Sequence, residues 1–324
     1  MTERENALEI IRFGHPEKIV WHIPEYNLTY LGCNHESFDG VSDSAPAGTR
    51  WRDIWGTGWH KEADGYMGLP EEYPLDEPEK LKDYRWPDPA DERIVGQTYR
   101  LREQFVEGSD VFLNARHRDT LWEKAYMLVG MENMMVYFYT EPEFAKEVLG
   151  RIMDFQLGIA KMYVENGAEV VRLADDLGGQ TSLLMSRGMI EEFLVPEYRR
   201  LIEFYKKHNV IIEFHSCGCI ESIVDLFMDL GVDVLNPLQA SANNLQKIRE
   251  QTDGKMCLRG GISTALIANG TPEEIEADVK QKIRMLGKNG GYFCSPDQKI
   301  PWTDENYKAF RDALDRWGRY PLLF

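Results

Sequence analysis

The chain has 324 residues, 43% hydrophobic and 28% charged, with 8 Trp, 15 Tyr and 14 Phe, which excludes a disordered or low-complexity polymer. Lys and Arg number 37 against 54 Asp and Glu, a net charge of −17 that would repel phosphate backbones and anionic lipid, so neither nucleic acid nor membrane partners are expected. Residues 1–18 hold no apolar signal core and no run of about 18 apolar residues follows, so a cytoplasmic protein is expected, and its five cysteines (33, 217, 219, 257 and 294) do not make a disulfide framework.

Residues 1–105 read as an N-terminal elaboration that carries a first strand at 19–23. From 39 to 91 periodicity is weak and Pro, Gly, Asp and Trp are frequent, around the run Asp53-Ile54-Trp55-Gly56-Thr57-Gly58-Trp59. This predicts an irregular segment with at most a hairpin, packed by its own aromatics; long ordered loops of this kind often carry function. Residues 106–324 alternate short apolar runs with amphipathic stretches, the pattern of successive βα units. Strands are predicted at 111–114, 169–173, 210–214, 232–235, 256–258 and 292–294. Thr140-Glu141-Pro142-Glu143 reads as a capping box opening a helix that buries Phe144, Val148, Ile152, Phe155 and Ile159 and stops at Gly167. A helix over roughly 189–207 carries Pro196 as an expected kink. Ile223, Val224, Phe227 and Leu230 form a short helix closed by Gly231, and Thr271-Pro272-Glu273-Glu274 is a second capping box before Ile275, Val279, Ile283 and Leu286. Seven strands result, with the eighth unassigned. Helices of similar size after successive strands, and no Gly-x-Gly-x-x-Gly turn, favour an α/β closed eight-stranded (β/α)8 TIM barrel, one domain over residues 1–324, rather than a doubly wound sheet.

In such a barrel the residues just past each strand gather on one rim. His215-Ser216-Cys217 sets an imidazole and a thiol two positions apart as strand 210–214 ends, and Cys294 ends another strand on that rim. One imidazole with two thiolates makes a three-ligand zinc set with one position open. The same residues also read as small buried hydrophobes and a hydrogen-bonded histidine, and spacing alone leaves both readings open. Cys219 and Cys257 stand where no ligand is required, and Cys33 has no partner in view. Asp175 and Asp176, just past strand 169–173, are candidate catalytic carboxylates that orient substrate or relay a proton, with helix capping as the alternative. Glu213 and Asp297 are candidates for orienting His215. Candidate substrate contacts are Trp55 and Trp59, as walls for an aromatic ring with plain packing as the more frequent alternative, Arg116 and His117, with Arg118, Arg172 and Arg259 as further cations for an anionic group, and Gln239 past a strand end.

The stretches Phe214-His215-Ser216-Cys217-Gly218, Gly231-Val232-Asp233-Val234-Leu235-Asn236-Pro237-Leu238-Gln239, Gly260-Gly261-Ile262 and Gly290-Gly291-Tyr292-Phe293-Cys294, with Asn306, resemble the uroporphyrinogen decarboxylase superfamily. The likeness extends through Ala174-Asp175-Asp176-Leu177-Gly178 and Asp53-Ile54-Trp55-Gly56, most of the chain, and implies a TIM barrel. His-x-Cys with a distant Cys is similar to the superfamily's zinc-dependent, corrinoid-linked methyltransferases, those of coenzyme M and the O-demethylase component that acts on methoxylated compounds. The resemblance carries the zinc ligands onto His215, Cys217 and Cys294. It also implies a corrinoid carried by a partner protein that docks over the C-terminal face of the barrel; a homodimer is left open. The decarboxylase itself fits poorly, because its substrate-binding Arg-Gln-Ala-Gly-Arg segment would fall where this chain reads Trp21-His22-Ile23-Pro24-Glu25-Tyr26-Asn27. A corrinoid-binding module in this chain also fits poorly, since Glu213 stands for the acid of Asp-x-His-x-x-Gly and Ser263-Thr264-Ala265 for its later Ser-x-Leu. The expected activity is transfer of methyl from a methoxylated, aromatic substrate to the partner's corrinoid. The alternatives are methyl transfer from a methylcobamide to a thiol of the coenzyme M type, and decarboxylation.

Overall fold

The computed structural model describes residues 1–298 and 302–324. Its strands in chain order are β1 (Glu25–Leu28), β2 (Arg50–Arg52), β3 (Gly58–His60), β4 (Leu69–Glu72), β5 (Phe112–His117), β6 (Val170–Ala174), β7 (Ile211–His215), β8 (Val234–Leu238), β9 (Cys257–Ile262) and β10 (Tyr292–Pro296). Strands β1 and β5–β10 make one sheet in the order β1-β5-β6-β7-β8-β9-β10, every pairing parallel. Parallel strands covered on both faces need continuous apolar runs, and the buried runs Val170-Val171, Phe112-Leu113 and Val234-Leu235 supply them. Helix Pro142–Glu165 covers the outer face with Val148, Leu149, Ile152, Ile159 and Ala160, all buried in the main core cluster. On the inner face, at the N-terminal ends of the strands, Phe112, Val170, Val234, Cys257 and Phe293 pack on Ile23 and on Ala7, Ile10 and Ile11 of helix Glu3–Ile11, which plugs that end. No helix among the described residues is long and apolar enough to cross a membrane.

The sheet curls into a seven-stranded half-barrel rather than the expected closed ring of eight. The expected first strand at 19–23 is not one; the strand begins later, at Glu25. Backbone groups of this lead-in are divided among three neighbours, with Cys294 N donating to Val20 O at 2.9 Å, Ile19 N to Gly318 O at 2.8 Å and Phe112 N to Pro24 O at 2.9 Å. Pro24 has no N–H with which to extend a ladder. The other six expected strands form, each starting within two residues of its predicted start and ending one to four residues later than predicted.

Residues 39–91 hold more order than a hairpin. Strands β2, β3 and β4 form a three-stranded antiparallel sheet, and Trp51 stacks on Trp59 across the β2–β3 pair with ring centroids 6.1 Å apart. The Thr271 capping box forms as expected, whereas the one expected at Thr140 does not. Thr140 ends the preceding helix Met131–Thr140 and its hydroxyl donates back to Val136 O at 3.2 Å, so it is not available to the next helix. Pro196 sits in the first turn of helix Val195–Lys207, and the expected kink takes the form of a π-turn just before it, Ile190–Leu194.

Candidate metal centre at the strand ends

Strand alternation decides which side chains reach the inside of the sheet. On β6, Arg172 and Ala174 point inward, so Asp176, two residues on, does too, while Asp175 between them points out. On β7 the inward residues are Glu213 and His215, followed by Cys217. Asp176, His215 and Cys217 therefore converge, and their ligand atoms all lie within 4.8 Å of one another, the one such group among the described residues. His215 Nε2 stands 3.3 Å from Cys217 Sγ and 3.7 Å from Asp176 Oδ1. The Asp176 carboxylate also accepts Cys217 N–H at 2.8 Å, tying the two loops together.

The loop that carries Cys217 is held on every side. Gly218 N donates to Gln239 Oε1 at 3.0 Å, Ser216 N to Asn236 O at 2.8 Å and Asn243 Nδ2 to Gly218 O at 2.9 Å. Gly218 has φ +82°, and a Cβ there would lie 2.2 Å from Gly178 O, so only glycine lets the Cys217 loop touch the loop of Asp176. Gln298 Nε2 donates to Cys217 Sγ at 3.1 Å, closing the fourth side of the cluster.

The donor set fits a small divalent metal. One imidazole, one thiolate and one carboxylate around zinc would span tetrahedral edges of about 3.3–3.5 Å, close to the distances seen. Without a cation the thiol and imidazole are held neutral: burial and the neighbouring Asp176 carboxylate push the Cys217 thiol up to about 12, and burial depresses the His215 imidazole. Nearby, burial and the carboxylates of Asp119, Asp175 and Asp176 push the Glu123 carboxyl up to about 9.

Several expected site residues lie elsewhere. Cys294 is not brought to His215 and Cys217. It alternates with the inward Phe293 and Ser295, packs outside the sheet with Tyr292, and burial lifts its thiol to about 12, with Asp278 and Lys282 of helix Pro272–Leu286 as its charged neighbours. Asp175 accepts Leu121 N (2.7 Å), Trp122 N (3.1 Å), Glu123 N (2.8 Å) and the Tyr198 hydroxyl (2.7 Å), so it caps helix Trp122–Val129 instead of facing substrate. Burial nonetheless pushes its carboxyl up to about 7 against those donors. His117 is fully buried, its ring nitrogens 2.6 Å from Gln156 Oε1 and 2.6 Å from the Tyr205 hydroxyl.

Trp55 and Trp59 are packed interior rather than pocket wall, at 1% and 0% exposure. Trp55 packs edge-on against Phe155 at 4.6 Å, and Trp59 stacks on His35 at 4.0 Å while its indole N–H reaches Asp53 at 3.0 Å. Gln239 braces Gly218 and donates to Gln180 and Ser241, a positioning contact. Asp297 accepts Ala240 N and Thr264 N, and Glu213 is held between two arginines, so neither is hydrogen-bonded to His215. Arg116 is partly exposed inside the sheet, as are Arg172 and Arg259. Asp176 as a member of the cluster and Gln298 beside it were missed; counting alternate residues from Arg172 finds Asp176, whereas the same count from Phe293 gives Ser295 and Asp297 and passes over Gln298.

A family model described as uroporphyrinogen decarboxylase (URO-D) matches residues 72–317. The methylated-thiol–coenzyme M methyltransferase of Methanosarcina mazei is 24% identical over 235 residues, 71% of this chain and 60% of that protein. Uroporphyrinogen decarboxylase of Myxococcus xanthus is 27% identical over 233 residues, 69% of this chain and 58% of that protein. The chain thus spans about 60% of the length of these curated relatives. A solved structure, a methyltransferase from Methanosarcina mazei, superposes with a TM-score of 0.71 at 17% identity, covering 98% of this chain and 99% of the other.

Proposed function

Since the chain belongs to the uroporphyrinogen decarboxylase (URO-D) family, we propose that it is a zinc-dependent methyltransferase that moves a methyl group from a methoxylated substrate to the corrinoid of a partner protein. The convergence of Asp176, His215 and Cys217 within 4.8 Å at the strand ends carries this reading. When bound, zinc would supply Lewis acidity to the oxygen that departs as the methyl group leaves.

The residues of this chain would act by placement. Asp176, His215 and Cys217 would hold the metal; Gln239, Asn243 and Gly218 keep the Cys217 loop from moving; Gln298 would neighbour the substrate's side of the site. The set holds one thiolate and one carboxylate where two thiolates were expected, a harder combination that favours an oxygen over a sulfur leaving atom. That difference supports the ether over thiol methylation, the activity carried by the name of one relative and the second reading here. Burial of Trp55 and Trp59 removes the support for an aromatic ring, so the ring rests on assay alone. A decarboxylase, the third reading, has support only in family membership and in a relative's name.

Metal content tests the reading first. Wild type purified without added metal is expected to hold about one zinc per chain, Cys217→Ser and Asp176→Ala far less, and Cys294→Ser as much as wild type. Loss of metal in Cys294→Ser with retention in Asp176→Ala would overturn the ligand set. With zinc present, methylation of cob(I)alamin by methoxylated compounds is the expected activity, and its absence across ethers and thiols would sink the methyltransferase reading.

A further inference from the structure

Inside the sheet, below the metal cluster, lies a layer of charge. Glu213 is completely buried and bridges Arg172 Nε at 2.6 Å and Arg259 Nη1 at 2.7 Å; Asn236 Nδ2 adds a bond at 3.1 Å. Arg172 also reaches Glu25 at 2.9 Å, and Glu25 takes a further bond from Asn114. Both carboxylates of the layer are thereby committed to Arg172 and Arg259. Arg116 pairs with Arg172 in the β5–β6 register, yet among the described residues no carboxylate meets it. Among the described residues its one side-chain hydrogen bond is to Asn27 Oδ1 at 3.4 Å, at a point open to solvent. Three guanidinium groups thus share two carboxylates, and the surplus positive charge falls on Arg116, the one of the three without an ion pair among the described residues. Burial and the adjacent Arg172 depress Arg116 more than Glu25 and Glu213, neither paired with it, raise it, so an arriving anion would relieve a cation that no carboxylate contacts.

We infer that Arg116 is an anion subsite of the metal centre and that the substrate carries an oxyanion tail, a carboxylate or a sulfonate, at the end opposite its methyl-bearing atom. This rests on the methyl-transfer reading for which end of the substrate reacts, and on the structure alone for which end is charged. The geometry sets the size of that substrate. Arg116, Arg172 and Glu213 lie side by side across two strand pairings, and His215 stands two residues beyond Glu213. The Cα atoms of Arg116 and His215 are then roughly 12 Å apart. A long arginine side chain spans about half of that, and the remainder suits one substituted ring or a short chain. Such a guanidinium offers a planar fork that a carboxylate or sulfonate meets with two parallel hydrogen bonds. An otherwise strongly acidic protein would in this way present a cation where the anion must lie.

Equilibrium binding tests it, by calorimetry on the full chain with its measured metal content and with no corrinoid present. The probes are 4-methoxybenzoate, 2-methoxyethanesulfonate and the neutral 4-methoxybenzamide. Wild type is expected to bind at least one of the anions about tenfold or more tightly than the amide, and Arg116→Gln to lose that preference. Arg116→Lys, which keeps the charge and loses the fork, is expected between the two. The carboxylate and sulfonate arms say which tail the site takes. The inference is overturned if the amide binds wild type as well as both anions, or if Arg116→Gln binds the anion as wild type does, as it would were the anion simply a metal ligand. The comparison of anion with amide on wild type stands even if Arg116→Gln fails to fold. Failure of methyl transfer with the anion preference intact would sink the activity and leave this subsite; turnover of the neutral ether alone would do the reverse.

Discussion

His117 shows how one strand sends neighbouring side chains to different work. Arg116 faces inward to the site, while His117 faces the helices, held neutral between Gln156 and Tyr205, and burial lowers its pKa to about 4 from an ordinary 6.5. The native pKa lies below the unfolded one, so the unfolded chain takes the proton first. His117's contribution is therefore intact above about pH 6.5 and is lost as the pH falls toward 4, up to about 3 kcal/mol in all. Unfolding by urea at pH 4, 5, 6 and 7 should show wild type weakening on acidification more steeply than His117→Gln. Parallel stability curves would mean that His117 carries no such load. Asp175 bends the opposite way, since its raised carboxyl favours the native state at low pH, which is why the variant comparison, rather than wild type alone, isolates the histidine.

At the scale of elements, capping separates two sequence motifs that look alike. Thr271 Oγ1 accepts Glu274 N at 3.3 Å while the Glu274 carboxylate accepts Thr271 N at 2.9 Å. Thr140 has no such role. Thr271→Ala should cost about 1 kcal/mol in thermal or denaturant unfolding, and Thr140→Ala only a few tenths. Equal costs would show that the Thr140 hydroxyl matters in a way its bond to Val136 does not explain. The motif in sequence was the same in both places. What differs is the preceding residue stretch, which folds as a helix ending on Thr140 and so takes the threonine out of play. The same scale explains the strands: six of seven were legible because parallel strands buried on both faces must be apolar runs. The seventh was displaced because the apolar residues at 19–23 bury as a lead-in without a ladder.

For the molecule as a whole, the ends of the sheet are unlike. The N-terminal ends are sealed by Ala7, Ile10 and Ile11 on a purely apolar layer, and the C-terminal ends carry Asp176, His215 and Cys217 above a layer of arginine and glutamate. Ile10 is 1% exposed at the centre of the plug, so Ile10→Ala should destabilise by about 2–5 kcal/mol while leaving metal content per folded chain unchanged. Loss of metal in a chain that still melts cooperatively would show that the two ends are not independent.

Family membership, the βα order and the pairing of His215 with Cys217 were readable from the chain, because each depends on neighbours in sequence: apolar runs, capping residues, and two side chains on one strand end. The third member of the candidate metal cluster was not. Cys294 carries the right chemistry but stands on the wrong parity of β10, and the same alternation brings Asp176 inward from β6. The tryptophans likewise suited either a pocket wall or plain packing and became core, because the segment around them folded into a small sheet rather than at most a hairpin. Parity, sheet closure and the unmatched charge of Arg116 exist only once strands distant in sequence lie side by side, so those were decided by the packed structure.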